Sequence, residues 1–225
     1  MGRVSVLTNV LKANQEIATE NRRLFEREGT LVINLMSAPG AGKTSLLEAT
    51  VRGLESRYRI AVIEGDPAGL DSQRIRALGT RSHQIKTTGT VCHLDARMVA
   101  HALTQFPVQG LDLLLIENVG NLICPASYDL GESLRVVICC VTEGAEKPKK
   151  YAVMFHKADV VLLNKTDLAT ASGIDLRELE KNVRELNAKA TVFAVSCKTG
   201  VGLDAWVAWL RDAIASRRIA EVARC

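Results

Sequence analysis

The stretch Ser37-Ala38-Pro39-Gly40-Ala41-Gly42-Lys43-Thr44 follows the apolar run LVINLM and leads into the helical SLLEATVRGL. Its glycines let backbone N–H groups turn inward around phosphate, and the start of the next helix adds a positive dipole end. Gly40, Ala41, Gly42, Lys43, Thr44 and Ser45 are thus the expected phosphate cradle. Lys43 should reach the β- and γ-phosphates and Thr44 should ligate Mg²⁺. Ser37 stands where the pattern GxxxxGK[ST] has its first glycine.

Asn164-Lys165-Thr166-Asp167 closes a later apolar run. An aspartate carboxylate can accept hydrogen bonds from both N1–H and the 2-amino group of guanine. Adenine lacks both donors and would leave the carboxylate partly unpaired, a difference that can reach roughly 10⁴. Behind a phosphate loop, NKxD therefore selects GTP and GDP over the adenine nucleotides. Ser196-Cys197-Lys198 is in register for a second base-contacting loop. Two acids flank the expected phosphates: Asp66 in IEGD, and Glu117 at the end of LLLIE with Gly120 three residues on. Carboxylates so placed hold Mg²⁺ and sense the γ-phosphate, which gives Lys43, Asp66 and Glu117 the catalytic roles. No glutamine or arginine finger is evident, so slow hydrolysis by an attacking water is expected.

A second chemistry stands beside the first. Thr88-Gly89-Thr90-Val91-Cys92-His93-Leu94-Asp95 sets a thiol next to an imidazole, and Cys124 lies just past Glu117 in NVGNLICPA. Neighbours in a strand point to opposite faces, so Cys92 and His93 can share an ion only from a bend, which Gly89 permits. Two thiolates and an imidazole suit Zn²⁺ or Ni²⁺ and leave a fourth position open. Two buried cysteines and a hydrogen-bonded histidine are the competing reading, and residue chemistry alone does not separate the two.

These residues need a frame that gathers them at one edge. Apolar runs at 31–36, 59–64, 83–87, 111–117, 135–141, 159–164 and 191–195 alternate with helical stretches near 44–57, 71–79, 95–105, 174–186 and 203–217. Most runs are continuous rather than alternating, as in strands buried on both faces. The alternation predicts an α/β fold with a doubly wound, mainly parallel sheet of about seven strands flanked by helices, with ligands at the carboxyl ends of the strands. Ahead of it, Val6–Phe25 carries apolar residues at helical spacing. The expected organisation is a leading amphipathic helix over 1–29 and one nucleotide-binding unit over 30–225.

Composition narrows the partners. The 225 residues carry a net charge of +4 and only 4% aromatics, few platforms for stacking bases. Nucleic acid is not expected as a partner. The longest uninterrupted apolar run, Val136–Val141, falls far short of the roughly 20 residues of a membrane helix. Neither a membrane nor a signal peptide is expected, and the expected location is cytoplasmic. In that reducing compartment the six cysteines should be thiols.

The sequence resembles the HypB family, GTPases that assist nickel insertion into nickel–iron hydrogenase. The resemblance rests on SAPGAGKTSLLE (37–48), CHLDA (92–96), IENVGNLICPASYDLGE (116–132), TEGAEKP (142–148) and NKTDL (164–168), and covers essentially the whole chain. It implies a P-loop GTPase fold, a nucleotide-promoted homodimer, and a nickel or zinc site at Cys92, His93 and Cys124 near the dimer interface. Lys147 matches a lysine that approaches the nucleotide from the partner subunit. A maturation partner protein and the hydrogenase large-subunit precursor are the implied partners. A structural-zinc scaffold switched by GTP and a P-loop small-molecule kinase are the alternatives, and NKTD argues against the kinase.

The sequence also departs from the family. It begins almost directly at the leading helix, without the N-terminal cysteine motif or histidine-rich stretch of many members, so no N-terminal metal store is expected. The loop Gly65–Asp71 is about a residue short, and Thr90 stands where a lysine is usual. Cys139, Cys140, Trp206 and Trp209 read as packing residues, and His83, His101 and His156 as structural or surface residues. Cys197 is expected beneath the guanine loop, and Cys225 at a mobile end.

Overall fold

The computed structural model describes residues 3–65, 70–86 and 91–222. Asp66, Thr88, Gly89, Thr90 and Cys225 lie outside them, as does most of the loop up to Asp71. The leading helix α1 spans Arg3–Arg27. The strands are β1 (Leu31–Ser37), β2 (Ile60–Glu64), β3 (Arg81–Gln84), β4 (Leu113–Glu117), β5 (Leu134–Cys140), β6 (Val160–Asn164) and β7 (Thr191–Ala194). The remaining helices are α2 (Lys43–Leu54), α3 (Leu70–Arg76), α4 (Ala96–Gln105), α5 (Lys147–Lys150), α6 (Ala152–His156), α7 (Leu176–Leu186) and α8 (Leu203–Val222).

All seven strands join one sheet in the order β3-β2-β4-β1-β5-β6-β7, and every pairing is parallel. Parallel neighbours require crossover connections, and helices on both faces bury the sheet. Alternation along each strand divides the core. Leu31, Ile33 and Leu35 of β1 face α2 and α8, packing with Leu46, Leu47, Trp206 and Leu210. Val32 faces the side closed by α1 and α4, with Phe25, Val99 and Ala102. Met36 joins Val137, Val161, Phe155 and Leu179 under α6 and α7. The chain winds to one side of β1 through β2, β3 and β4, and to the other through β5, β6 and β7. The phosphate loop lies at the reversal, where open α/β sheets bind ligands.

Two differences from the sequence expectation have physical reasons. The third strand is Arg81–Gln84 rather than 83–87, because its partner is set by register: Arg81 pairs with Ala61 and Gln84 with Glu64. As an edge strand it is only partly buried, so its sequence lacks the apolar run of its neighbours. The helices α5 and α6 were not expected. Each is one turn or little more, too short to show a helical period.

Cys139 and Cys140 are buried in β5, and burial pushes the Cys139 thiol up to about 12. Trp206 is buried, stacks on Trp209 at 5.7 Å and donates its indole N–H to Thr50 Oγ1 at 2.9 Å. Among the described residues no helix is long and apolar enough to cross a membrane.

Candidate functional site

The carboxyl edge of the sheet carries two adjoining constructions. The first is a cleft of about 460 Å³ lined by Gly40, Lys43, Thr44, Ser45, Arg74 and Lys165, among others. It opens toward one of about 310 Å³ bounded by Gly42, Ser45, Asn164, Lys165, Asp167, Leu168, Cys197 and Lys198. Gly42 caps α2 in a left-handed conformation, φ 100°. A Cβ there would fall on the Asn164 side chain, so glycine is required both for the turn and for the close approach of β6.

The NKTD segment is bonded directly to the phosphate loop. Asn164 Nδ2 donates to Ala41 O at 2.9 Å, and Lys165 Nζ to Gly40 O at 2.7 Å. Lys165 holds a left-handed φ of 63°, uncommon for a non-glycine residue and frequent at functional turns. Ser196 Oγ donates to Asp167 Oδ1 at 2.6 Å and accepts from Thr199 N–H at 3.2 Å. The Ser196–Lys198 loop is therefore registered on the Asp167 carboxylate. Cys197 packs against the core beneath the cleft, and burial pushes its thiol up to about 11.

At the phosphate end, Lys43 is buried with Nζ 3.4 Å from Ser37 Oγ. Serine in place of glycine thus supplies a polar rest for the lysine. Thr44 Oγ1 donates to Glu117 Oε1 at 3.0 Å, and both residues are buried. Arg74 was missed by the sequence reading, which found no arginine for this cleft. Its guanidinium holds Glu48 at 2.8 and 2.9 Å and reaches Ser45 Oγ at 3.3 Å. No motif marks it, because it arrives from α3, 29 residues after Ser45.

The second construction is the cluster Cys92, His93 and Cys124, whose ligand atoms all lie within 4.8 Å of one another. Cys92 Sγ is 3.4 Å from His93 Nδ1. Cys92 and His93 precede α4, whose start is capped by Asp95 accepting from Met98 N–H at 2.8 Å. Cys124 opens a 3₁₀ turn, Cys124–Ser127, with Pro125 at its start. Tyr128 follows, and its ring lies against His93 with centroids 3.8 Å apart. A hydrogen bond to Cys124, with burial, raises the Cys92 thiol, while burial lowers His93. Both shifts favour uncharged groups, which a cation would reverse at the Cys92 thiol. Tyr128 escaped the sequence reading because an aromatic in an irregular loop carries no positional signal.

Lys147 is at the first turn of α5, paired with Glu143 at 3.4 Å and lying 4.9 Å over the Tyr151 ring. Among the described residues lining the two adjoining clefts it is absent.

The family described as CobW/HypB/UreG, nucleotide-binding domain, matches residues 31–194. The hydrogenase maturation factor HypB of Rhizobium leguminosarum bv. viciae is 45% identical over 217 residues, covering 96% of this chain and 72% of the relative. The chain belongs to the HypB family. The probable HypB of Methanocaldococcus jannaschii is 40% identical, with 91% of this chain and 92% of the relative covered. The crystal structure of HypB from Archaeoglobus fulgidus superposes with a TM-score of 0.85 at 39% identity, covering 90% of this chain and 99% of that one. HypB from Helicobacter pylori, solved in complex with nickel, gives 0.85 at 34% identity, covering 91% and 96%. Family and fold therefore agree with the expectation from the motifs, and the domain is a nucleotide-binding P-loop unit.

Proposed function

We propose that this protein is a GTP-hydrolysing metallochaperone that binds nickel and delivers it during maturation of nickel–iron hydrogenase. The observation that carries the reading is the adjacency of two chemistries on one sheet edge. Glu117, bonded to the phosphate-loop hydroxyl of Thr44, and Cys124, in the thiol–imidazole cluster, are seven residues apart. Anything that moves the end of β4 on reading a γ-phosphate also moves a metal ligand.

Guanine is held by Asp167 and the Ser196–Lys198 loop, and the phosphates by the backbone of residues 40–45 with Lys43. The hard oxygen donors of Thr44 and Glu117, joined by Asp66, fit Mg²⁺, which when bound there neutralises phosphate charge. Lys43 stabilises the charge that develops on the phosphoryl oxygens, and an unassisted water makes turnover slow. Two thiolates and one imidazole suit nickel or zinc, and three protein ligands leave a position for exchange. Nucleotide-promoted pairing of two subunits would bring Lys147 to the partner's nucleotide. A maturation partner protein and the hydrogenase large-subunit precursor receive the ion. The name and nickel complex of the related HypB proteins support the cargo and the pathway.

The test is metal analysis and nickel titration of the purified protein with GDP and with a GTP analogue. The expected result is a different nickel affinity or stoichiometry in the two states, because linkage acts in both directions. Equal values would end the coupling reading. Zinc retained unchanged through the cycle would identify a structural ion in a GTP-switched scaffold, and preference for ATP in competition would mean a kinase.

A further inference from the structure

We propose that Asn118 is the positioning residue through which the nucleotide-reading end of β4 sets the geometry of the metal cluster. The proposal rests on the linked-site reading above and names the residue that carries the link. Asn118 is fully buried and follows Glu117 directly. Their side chains lead in different directions: Glu117 to Thr44 of the phosphate loop, Asn118 to the segment carrying Cys92 and His93. Asn118 Oδ1 accepts from Leu94 N–H at 3.0 Å, and also from Val119 N–H at 2.9 Å. Leu94 is the residue after His93.

A packing contact reinforces the hydrogen bond. Leu94 is fully buried, and a Cβ added at Gly65 would lie 2.7 Å from Leu94 Cδ1. Gly65 N–H in turn donates to Glu117 O at 2.8 Å. Leu94 is thus wedged between Gly65, just past β2, and the end of β4, the strand that carries Glu117.

The far ends of both ligand segments are anchored elsewhere. Asn14 of α1 accepts from Ala96 N–H at 2.8 Å and donates to Asp129 O at 2.8 Å. Asn21 donates to Ala96 O and Leu130 O, each at 3.0 Å. Ala96 lies just beyond Cys92–His93, and Asp129–Leu130 just beyond Cys124. With α1 as the fixed side, the adjustable side is the end of β4. There the Cys124 segment departs through Glu117, and the Cys92–His93 segment is held through Asn118. The remaining amide group of Asn118 donates to Asn34 Oδ1 at 3.1 Å. Asn34 donates to Glu132 Oε1 at 3.3 Å, and Glu132 Oε2 accepts from Leu130 N–H at 2.7 Å. One buried amide therefore shares a polar chain with both ligand segments, and a shift at β4 reaches all three ligands together.

The experiment compares nickel affinity, by competition with a chromophoric chelator, in the full chain with GDP and with a GTP analogue. Asn118→Ala should bring the ratio of the two affinities to within about twofold of one. GDP affinity should stay unchanged, and the thiolate–nickel absorption band should persist, showing the same ligands in use. A merely structural role would lower stability and leave the ratio at the wild-type value, which would overturn the proposal. Asn118→Leu fills a similar volume without the acceptor for Leu94 N–H and is expected to bring the ratio toward one as well; should Asn118→Ala fail to fold, a wild-type ratio in this variant overturns the proposal. A wild-type protein whose own ratio is one removes the coupling reading and this inference together. A wild-type ratio away from one that Asn118→Ala preserves removes this inference alone.

Discussion

The nucleotide cleft and the thiol–imidazole cluster share a sheet edge and are built on opposite plans. In the cleft the recognition groups already hold one another: Lys165 on Gly40 O, Asn164 on Ala41 O, Ser196 on Asp167, Thr44 on Glu117. Ligand meets a preorganised surface and loses little to ordering it. In the cluster the three ligand groups lie within 4.8 Å of one another and His93 rests on the Tyr128 ring, but their loops are held from outside, by amides of α1 and by Asn118 just past β4. A site that must grip a nucleotide is fixed by its own bonds. On the proposed function, the site that would hold and then release a cation takes its geometry from its neighbours.

That contrast makes separable predictions. The largest effect is expected at the base-reading carboxylate. Asp167→Asn should lower GTP affinity by roughly 10³-fold or more and raise affinity for xanthosine triphosphate, whose 2-oxo group can accept from an amide. Competitive binding of the two nucleotides measures it. Unaltered guanine preference would show that the cleft reads the base elsewhere. Next in size is the cluster. Cys92→Ala or Cys124→Ala should weaken nickel binding by about 100-fold while GDP affinity stays within about twofold. Nickel titration with a parallel nucleotide titration is the check, and full nickel binding by both variants would withdraw the cluster as the metal site. Because the cleft is bonded within itself, loss at the cluster should not spread to it.

The two regions also differed in how far the sequence revealed them. A phosphate loop is a run of consecutive residues, so it leaves a local signature, and the motifs at 37–45 and 164–167 stand out before any fold is known. The sheet was visible for the same reason: β1, β4, β5 and β6 are buried on both faces and read as apolar runs. Where a role depends on residues distant in the chain, the sequence was silent. Arg74 enters the phosphate cleft from α3, Tyr128 covers His93 from a loop, and Asn14 and Asn21 lie within a helix whose period marks only a buried stripe. Their amides belong to that stripe, and no local pattern tells a core-facing asparagine that braces a loop from one that merely packs. The edge strand β3 was placed two residues late because its limits come from pairing with β2 rather than from its own hydropathy.

The smallest expected effect tests the bracing directly. Asp129 follows Tyr128 and meets α1 through a paired contact, Arg22 Nη2 to its two oxygens at 2.7 and 2.8 Å, with Gln15 at 3.0 Å and Gly131 N–H at 2.8 Å. Burial alone would raise this carboxyl. The Arg22 guanidinium and the other donors outweigh burial and hold it at about 2 against an ordinary 3.8. A carboxyl depressed in the folded state stabilises the fold above its unfolded value, and that contribution is lost as pH falls through the folded value. Since the pair is partly open to solvent, the contribution is about 1–2 kcal/mol rather than the full linkage value. Asp129→Asn should therefore be less stable than wild type by that amount at neutral pH. The gap should close as pH falls from about 4 toward 2, where wild type has itself lost the charge. Denaturant unfolding across that range measures the gap. A gap that does not narrow would mean that shape and hydrogen bonding, rather than charge, fasten the Cys124 loop to α1. Guanine nucleotide affinity should not change at all, because among the described residues the hydrogen bonds within the cleft come from the phosphate loop, β4, β6 and the Ser196 loop.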